Sequence, residues 1–352
     1  MSARRRAPVL VALTAILAAC AGPEPASSPT STPESPAPIE EIARGLEVPW
    51  GLAFLPDGAA LVSERDSGRV LRVGRGEPEQ VHQVSGVVAR GEGGLLGLAV
   101  ARDYAETGLV YAYFTGADDN RIVRFRPGGP QETVFSGIAK AGNHNGGRIA
   151  FGPDDMLYVG TGDAGAPDRS PDPTSPNGKI LRITPDGRPA PGNPTPGSPV
   201  YSRGHRNVQG LAWDASGRLF AAEFGQNRLD EINIIEPGND YGWPAVEGTG
   251  GTARGSTDPV LTWPTSAASP SGIAIAGTTL YAAALRGERL WTATLTGDTL
   301  VDPRALFHNT YGRLRTIATA PDGTLWLTTS NTDGRGTPDP ADDRILRFPA
   351  MR

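Results

Sequence analysis

Four histidines occur in the 352-residue chain, and one of them lies in a setting suited to proton transfer. His144 is part of the segment GNHNGGR, and Asp163 follows it in GTGD, after one predicted hairpin. Because the arms of a hairpin bring its ends together, we expect the two side chains to lie side by side. An imidazole oriented by a carboxylate is a common general base. Without that carboxylate, a histidine in such a loop would be interpreted as a solvated surface residue.

Arginines occur in two further predicted loops. Arg206 lies in SRGHRN, and Arg313 and Arg315 lie in YGRLR, where a spacing of two places them on the same side of an extended chain. Guanidinium groups that converge need a compensating anion, and their planar forks suit carboxylates or phosphates. Only Lys140 and Lys179 are lysines, so arginine replaces lysine nearly everywhere and a single arginine carries little weight. The closely spaced pair carries more.

Carboxylates among glycines form a third group. The segment EFGQNRLDEIN, which begins at Glu223, is followed by GNDYGWP, which begins at Gly238. Carboxylates and exposed backbone carbonyls can bind a hard cation such as Ca²⁺. The spacing of the acidic residues does not match an EF-hand loop.

A short theme that repeats six times supplies the elements that must position these residues. Each copy has an apolar strand, a turn such as Pro-Asp-Gly, and further apolar strands. The copies begin 44 to 62 residues apart, at Leu52, Leu98, Ile149, Leu211, Ile273 and Ile317. That period is typical of β-propeller blades. We therefore predict an all-β, six-bladed β-propeller of four-stranded antiparallel blades; the alternative is a pair of β-sandwiches.

Composition supports this fold and excludes several functions. The chain has 46 Gly and 33 Pro, which argue against a helical bundle. Its net charge is -5 and it has no dense basic stripe, so we expect no nucleic-acid partner. A single cysteine excludes an intramolecular disulfide framework and any site built from several thiolates.

That cysteine, Cys20, follows three arginines, the uncharged stretch 7–19 and the tripeptide Leu-Ala-Ala. This pattern predicts a signal peptide over residues 1–19 and a lipidated Cys20, and thus a secreted, lipid-anchored lipoprotein outside the cytoplasmic membrane. An ordinary signal peptide or a buried cysteine are the alternatives. The apolar stretch is too short to span a membrane. Residues 20–38 are rich in Pro, Ser and Thr and indicate a tether, and residues 39–352 form the predicted propeller.

Several segments together resemble the soluble aldose sugar dehydrogenases that depend on pyrroloquinoline quinone (PQQ), a family that includes the soluble quinoprotein glucose dehydrogenases. They are GEGGLLGLAV, NHNGGRIAFGPDDMLYVGTGD, GHRNVQGLAWD, DEINIIEPGNDYGWP and GRLRTIATAPDG. The resemblance implies oxidation of an aldose at C1 to the lactone and transfer of electrons to an external acceptor. It implies that His144 removes the proton of the C1 hydroxyl while hydride passes to C5 of PQQ, and that Asp163 orients His144.

The resemblance also implies residues that hold the cofactors. PQQ would be contacted by a set of polar side chains, Glu92, Arg206, Asn207, Thr265, Arg286, Arg313 and Arg315. Arg206 would also stabilise charge on the reduced cofactor. The backbone carbonyls of Gly225 and Gln226 would hold a catalytic Ca²⁺, which acts as a Lewis acid, and Glu231 and Tyr241 would hold a structural one.

The chain departs from the family pattern at Glu92, where the family has glutamine, at Asn143 and at Gln226. A carboxylate at position 92 is unfavourable beside an anionic cofactor unless calcium or Arg206 offsets it. Two other functions therefore remain open: a propeller that only binds a carbohydrate or a protein, and a calcium-dependent hydrolase or lactonase that needs no quinone.

Overall fold

A computed structural model describes residues 38–351. Cys20, the signal peptide and nearly all of the tether lie outside the described residues. The strands, in chain order, are β1 (Glu40–Ala43), β2 (Pro49–Phe54), β3 (Ala60–Glu64), β4 (Arg69–Val73), β5 (Glu79–Gln83), β6 (Leu95–Val100), β7 (Val110–Thr115), β8 (Asn120–Phe125), β9 (Gln131–Ile138), β10 (Ile149–Phe151), β11 (Leu157–Gly160), β12 (Lys179–Ile183), β13 (Val200–Arg203), β14 (Val208–Trp213), β15 (Leu219–Glu223), β16 (Leu229–Ile235), β17 (Leu261–Pro264), β18 (Pro270–Ala276), β19 (Thr279–Ala284), β20 (Arg289–Thr296), β21 (Thr299–Leu306), β22 (Leu314–Thr319), β23 (Thr324–Thr329) and β24 (Ile345–Pro349).

These strands form six four-stranded antiparallel sheets, which confirms the predicted six-bladed propeller and excludes the sandwich alternative. The predicted start of every repeat lies in the first strand of a blade: β2, β6, β10, β14, β18 or β22. Within residues 38–351, helix is limited to α1 (Tyr104–Thr107) and the 3-10 turns Pro167–Arg169 and Thr252–Arg254. None of the helices in the described part of the chain is long and apolar enough to cross a membrane.

The last blade is built from both ends of the described chain. Strand β1 pairs antiparallel with β24, with Glu40 opposite Arg347, and completes the sheet β1-β24-β23-β22. This pairing closes the ring, because backbone hydrogen bonds join the strand that precedes the first blade to the C-terminal strand of the last blade. The sequence repeats did not predict this shared blade.

Glycines allow the first strands of neighbouring blades to approach one another. A Cβ on Gly51 would lie 2.7 Å from the carbonyl oxygen of Leu96, and one on Gly272 would lie 2.8 Å from Cα of Thr316. Side chains from adjacent blades then form continuous apolar clusters; one contains Trp50, Leu96 and Tyr113.

Antiparallel blades give the propeller two distinct faces. The connections between blades and the turns between second and third strands share one face, called here the site face. The Pro-Asp-Gly turns between first and second strands lie on the opposite face. The long segment 236–260, between β16 and β17, also reaches the site face, where Nε1 of Trp243 donates to Asp163.

Candidate active site

His144 lies in the connection between β9 and β10, on the site face. Its φ is 54°, a left-handed conformation that is uncommon for a residue with a Cβ. Two hydrogen bonds hold it: its amide donates to Oε2 of Glu92 at 2.9 Å, and its carbonyl accepts from the amide of Ala164 at 3.1 Å. Gly162 makes room, since a Cβ there would overlap the carbonyl of His144. The backbone conformation and hydrogen bonds of His144 thus fix the position from which its imidazole projects.

The turn after β11 brings Asp163 against this imidazole. Nδ1 of His144 and Oδ1 of Asp163 are 2.7 Å apart. Asp163 is fully buried, and its oxygens also accept from the amide of Gly165 at 2.8 Å and from Nε1 of Trp243 at 2.9 Å. Burial acts to raise the pKa of Asp163, but these hydrogen bonds lower it on balance. An ionised carboxylate with both oxygens engaged therefore orients the ring.

The second ring nitrogen of His144 is available for chemistry. The side chain is 13% exposed, and the partner of Nε2 is Nδ2 of Asn143 at 3.2 Å. An amide nitrogen can only donate, so Nε2 accepts, and the hydrogen-bond network assigns the ring proton to Nδ1. This tautomer has its lone pair on Nε2, as a general base requires.

The carboxylate of Glu92 forms an ion pair with an arginine other than Arg206. Its Oε1 lies 3.2 Å from Nη1 of Arg335, and its Oε2 accepts the amide of His144. Arg335 had not been selected from the sequence. The carboxylate of Glu92 therefore holds the backbone of His144, and its predicted contact with PQQ stays a prediction.

Arg206 and Asn207 lie in the connection between β13 and β14, beside the His144 loop. Nη1 of Arg206 donates to the carbonyls of Phe224 at 3.1 Å and Gly225 at 2.8 Å. Burial lowers the pKa of Arg206, although nearby carboxylates act to raise it. Oδ1 of Asn207 accepts the amide of Gly146 at 2.9 Å. Nε of Arg206 and Nδ2 of Asn207 are buried without a partner among the described residues, so both retain donors.

Arg313 and Arg315 share one carboxylate, which confirms that they reach the same side of the chain. Nη2 of Arg313 and Nη2 of Arg315 lie 2.8 Å and 3.5 Å from Oδ2 of Asp333. Arg315 also donates to Ser330 and Gln209, each at 3.2 Å. Burial lowers the pKa of Arg315 to about 10. Two buried guanidinium groups thus have one buried carboxylate between them.

Arg148 is a further buried cation, which the sequence analysis did not select. It donates to the carbonyl of Gln209 at 2.7 Å and to Oγ1 of Thr316 at 3.0 Å, and its guanidinium lies 4.3 Å from the ring centroid of Trp50. Burial and the charge of Arg315 lower the pKa of Arg148 to about 9. Within the described part of the chain, neither Arg148 nor Arg206 forms an ion pair with a carboxylate. Arg148 is thus a buried cation without a close carboxylate, whereas Arg206 has several carboxylates at longer range.

The residues that the sequence assigned to a catalytic calcium lie in the turn between β15 and β16. The carbonyl of Gly225 accepts from Arg206, whereas no described residue donates to the carbonyl of Gln226. Residues 38–351 contain no cluster of three or more His, Cys, Asp or Glu side chains able to hold a metal.

Glu231, assigned to the structural calcium, is a buried carboxylate in β16. Burial and the charge of Glu223 raise the pKa of Glu231 to about 8. Glu231 accepts the amide of Gly248 at 2.6 Å and Nδ2 of Asn233 at 3.2 Å, and Oδ1 of Asn233 is buried without a partner among the described residues. The hydroxyl of Tyr241 donates to the carbonyl of Ile234 at 2.7 Å and accepts the amide of Glu236 at 2.8 Å, so it already serves as both donor and acceptor.

Thr265 and Arg286 lie on the site face but are not brought into contact with the other candidates. Thr265 is half-buried after β17 and donates its amide to the carbonyl of Arg228 at 3.2 Å. Arg286 is exposed in the turn between β19 and β20. Their predicted contacts with PQQ are neither supported nor excluded by this geometry.

Comparisons with known proteins agree with the fold and the motifs. The glucose / sorbosone dehydrogenase family matches residues 46–346. The PQQ-bound aldose sugar dehydrogenase of Streptomyces coelicolor is 55% identical over 89% of this chain and 99% of its own, with a TM-score of 0.86. The aldose sugar dehydrogenase YliI of Escherichia coli is 28% identical over 84% of this chain and 91% of its own. Quinoprotein glucose dehydrogenase B of Acinetobacter calcoaceticus is 32% identical over 59% and 52%, respectively.

The family match spans all six blades and includes both segments that form the His144 and Asp163 pair. It confirms the resemblance and the enzyme class that the sequence motifs indicated. The chain therefore belongs to the glucose / sorbosone dehydrogenase family, and it is an oxidoreductase.

Proposed function

We propose that this chain oxidises aldose sugars at C1 to lactones with PQQ as its cofactor. The observation that carries the proposal is a general base close to buried arginines that form no ion pair with a carboxylate. Nε2 of His144 is available, while Arg148 and Arg206 have no carboxylate partner among the described residues. A sugar dehydrogenase with an anionic quinone needs both features. The 55% identity to a protein described as a PQQ-bound aldose sugar dehydrogenase supports the same assignment.

In this proposal the chain's own residues manage the proton. Nε2 of His144 accepts the proton of the C1 hydroxyl as the hydride leaves C1. The carboxylate of Asp163 stabilises the imidazolium that results, and Trp243 keeps that carboxylate in place. Asn143 is exposed and donates to the same Nε2, so the sugar hydroxyl would displace this amide. When bound, PQQ supplies the two-electron acceptor for the hydride.

The cationic residues fit a ligand with three carboxylates. Arg313 and Arg315 present planar forks beside a single shared aspartate, Asp333, and both are largely buried. A carboxylated ligand would supply the missing negative charge and thereby offset the cost of burying these guanidinium groups. Arg206 and Asn207 each retain a buried donor, which suits the oxygen atoms of a quinone.

Calcium is part of the same proposal. The carbonyls of Gly225 and Gln226 are hard oxygen donors, and the guanidinium of Arg206 already lies against the first of them, which marks this group of carbonyls as attractive to a cation. Glu231 and the unpartnered Oδ1 of Asn233 are suitable donors for a second ion. A bound calcium would supply Lewis acidity at the first site and stability at the second.

Reconstitution tests the proposed function. Purified protein is stripped with chelator and mixed with PQQ, Ca²⁺ or both, and dye reduction is measured across a panel of aldoses. We expect activity only where PQQ, Ca²⁺ and a sugar are all present. Ligand binding without turnover would instead favour the carbohydrate-binding propeller, and lactone hydrolysis without quinone would favour the hydrolase.

We also propose that the protein is lipid-anchored outside the cytoplasmic membrane through Cys20. The propeller begins at Glu40, at the end of β1 that lies on the face opposite the site face. The sequence supports this proposal, because three arginines, an uncharged stretch and Leu-Ala-Ala precede Cys20. The test is metabolic labelling with palmitate in cells that express the full chain or Cys20→Ala. Wild-type protein should carry label and sediment with membranes, and the proposal fails if both proteins behave alike.

A further inference from the structure

Glu247, in the long segment between β16 and β17, makes an unusual set of hydrogen bonds. Its Oε1 accepts four consecutive backbone amides of the turn after β15. The donors are Gln226 at 2.7 Å, Asn227 at 2.9 Å, Arg228 at 2.9 Å and Leu229 at 3.2 Å. Four N–H donors that converge on one oxygen, with no acceptor beside it, are the arrangement that an ionised carboxylate accepts.

This arrangement determines where the carbonyls of the turn point. A trans peptide is planar, so its N–H and C=O are directed to opposite sides. The peptides whose amides face Glu247 include those that carry the carbonyls of Gly225 and Gln226. Asp230 acts similarly on the preceding peptide, because its Oδ1 accepts the amide of Gly225 at 2.9 Å. The carbonyls of Phe224 and Gly225 accordingly face away from the carboxylates, toward Arg206.

We propose that Glu247 is a positioning residue that directs the carbonyls of Gly225 and Gln226 toward a bound cation. The inference rests on the proposed function, because that function supplies the calcium. Glu247 would act in two ways: its hydrogen bonds fix the peptide orientations, and its negative charge polarises those peptides and makes their carbonyl oxygens more negative. Both effects strengthen cation binding without direct contact between Glu247 and the ion.

The chain offers a matched control. Asp258 accepts the amides of Gly250, Gly251 and Thr252 at 2.6 to 3.2 Å, in a separate turn of the same long segment. These hydrogen bonds lower the pKa of Asp258 on balance, against the effect of burial. Asp258→Asn therefore weakens a comparable carboxylate-centred turn while leaving the carbonyls of Gly225 and Gln226 alone.

The test measures Ca²⁺ binding by calorimetry, and Tb³⁺ luminescence as a second probe, in chelator-stripped protein without quinone. Glu231→Gln serves as the background for every variant, so that the second candidate site does not contribute. We expect Glu247→Gln to weaken Ca²⁺ binding at least about 10-fold, a change of roughly 1.4 kcal/mol, while Asp258→Asn binds like its parent. In quinone-loaded protein, excess Ca²⁺ should restore the turnover of Glu247→Gln.

The outcomes separate the inference from the function on which it rests. If the parent binds Ca²⁺ and Glu247→Gln gives the same isotherm, the positioning role is wrong and the proposed function is untouched. If the parent binds no Ca²⁺ yet oxidises aldoses with PQQ, both the calcium and the positioning role are wrong. Should Glu247→Gln not fold, as judged by thermal unfolding, Glu247→Asp keeps the charge with a shorter reach and must still weaken binding.

Discussion

Two histidine and carboxylate pairs lie at neighbouring blades and differ in the chemistry that they can perform. Nδ1 of His144 is 2.7 Å from Asp163, and Nδ1 of His205 is 2.7 Å from Glu223. Nε2 of His144 is available, whereas Nε2 of His205 lies 2.8 Å from Oγ of Ser202 in a fully buried site. The second arrangement has the order of a serine, histidine and acid triad but no access for a substrate.

The two pairs differ in whether a substrate can reach the second ring nitrogen, and not in the distance between histidine and carboxylate. The ring of His205 stacks on Tyr241 at 4.7 Å between centroids, and Glu223 also accepts the amide of Arg206 at 3.1 Å. The buried pair therefore fixes the connection that carries Arg206, and the accessible pair performs proton transfer in our proposal. A carboxylate that orients a histidine indicates a base only where the other ring nitrogen is open to substrate.

Replacement of histidine by glutamine should lower kcat far more in the accessible pair than in the buried pair, and this is the largest effect that we expect. His144→Gln removes the base and should reduce kcat by about 10²- to 10⁴-fold, with quinone affinity nearly unchanged. Steady-state kinetics and quinone titration of the reconstituted protein measure this. Equal kcat values for His144→Gln and wild type would remove His144 from the proposed mechanism.

Asp163→Asn should have the next largest effect, about 10²-fold in kcat. The amide NH₂ must face either His144 or Trp243, and in both orientations it opposes a group that now donates to Asp163. The ring is then no longer held with its lone pair on Nε2. The measured quantity is kcat against pH, with Glu223→Gln as the matched variant in the buried pair; a smaller loss in Asp163→Asn than in Glu223→Gln would reverse the assignment of roles.

His205→Gln should affect stability more than chemistry. It leaves Glu223 and Ser202 without their ring partner in a fully buried site, which should cost about 2–3 kcal/mol in the free energy of unfolding. Urea denaturation of the stripped protein measures the cost, and kcat should fall less than about 10-fold. A loss of kcat as large as that of His144→Gln at unchanged stability would show that the buried pair takes part in catalysis.

The smallest expected effect is the change with acid pH in the stability difference between wild type and Asp163→Asn. The pKa of Asp163 is lowered in the folded protein, so its ionised form contributes stability that is complete above the unfolded value of about 3.8. That contribution is lost as the pH falls through the lower folded value. The stability advantage of wild type over Asp163→Asn should therefore shrink as the pH is lowered below about 4; an advantage that grows there would contradict the lowered pKa.

The sequence predicted the parts of the molecule that depend on local patterns. Six copies of one strand, turn and strand pattern indicated six blades, and one hairpin between His144 and Asp163 indicated their contact. The closing pair β1 and β24 was not predicted, because it joins residues about 300 positions apart without a repeated motif. The lipid anchor at Cys20 and the cofactor contacts of Thr265 and Arg286 stay predictions.

Several site residues were missed for the same physical reason. Trp243 and Asp333 act through contacts between distant loops, so nothing in their immediate sequence signals those contacts. Arg148 begins a blade and resembles any other arginine until its burial beside Trp50 is seen. Arg335, which compensates Glu92, is 243 positions away from it in the chain. A burial pattern for the first strands, rather than a motif, would have identified Arg148.

The most direct test of the central claim is a single turnover. Protein loaded with PQQ and Ca²⁺ is mixed rapidly with an aldose, or with the same aldose deuterated at C1, and reduction of the bound quinone is followed by absorbance. We predict rapid reduction with a primary isotope effect in wild type and in His205→Gln, and almost none in His144→Gln with the quinone still bound. A wild-type protein that holds the quinone but is not reduced by any aldose, or a His144→Gln protein that is reduced at the wild-type rate, would contradict the account.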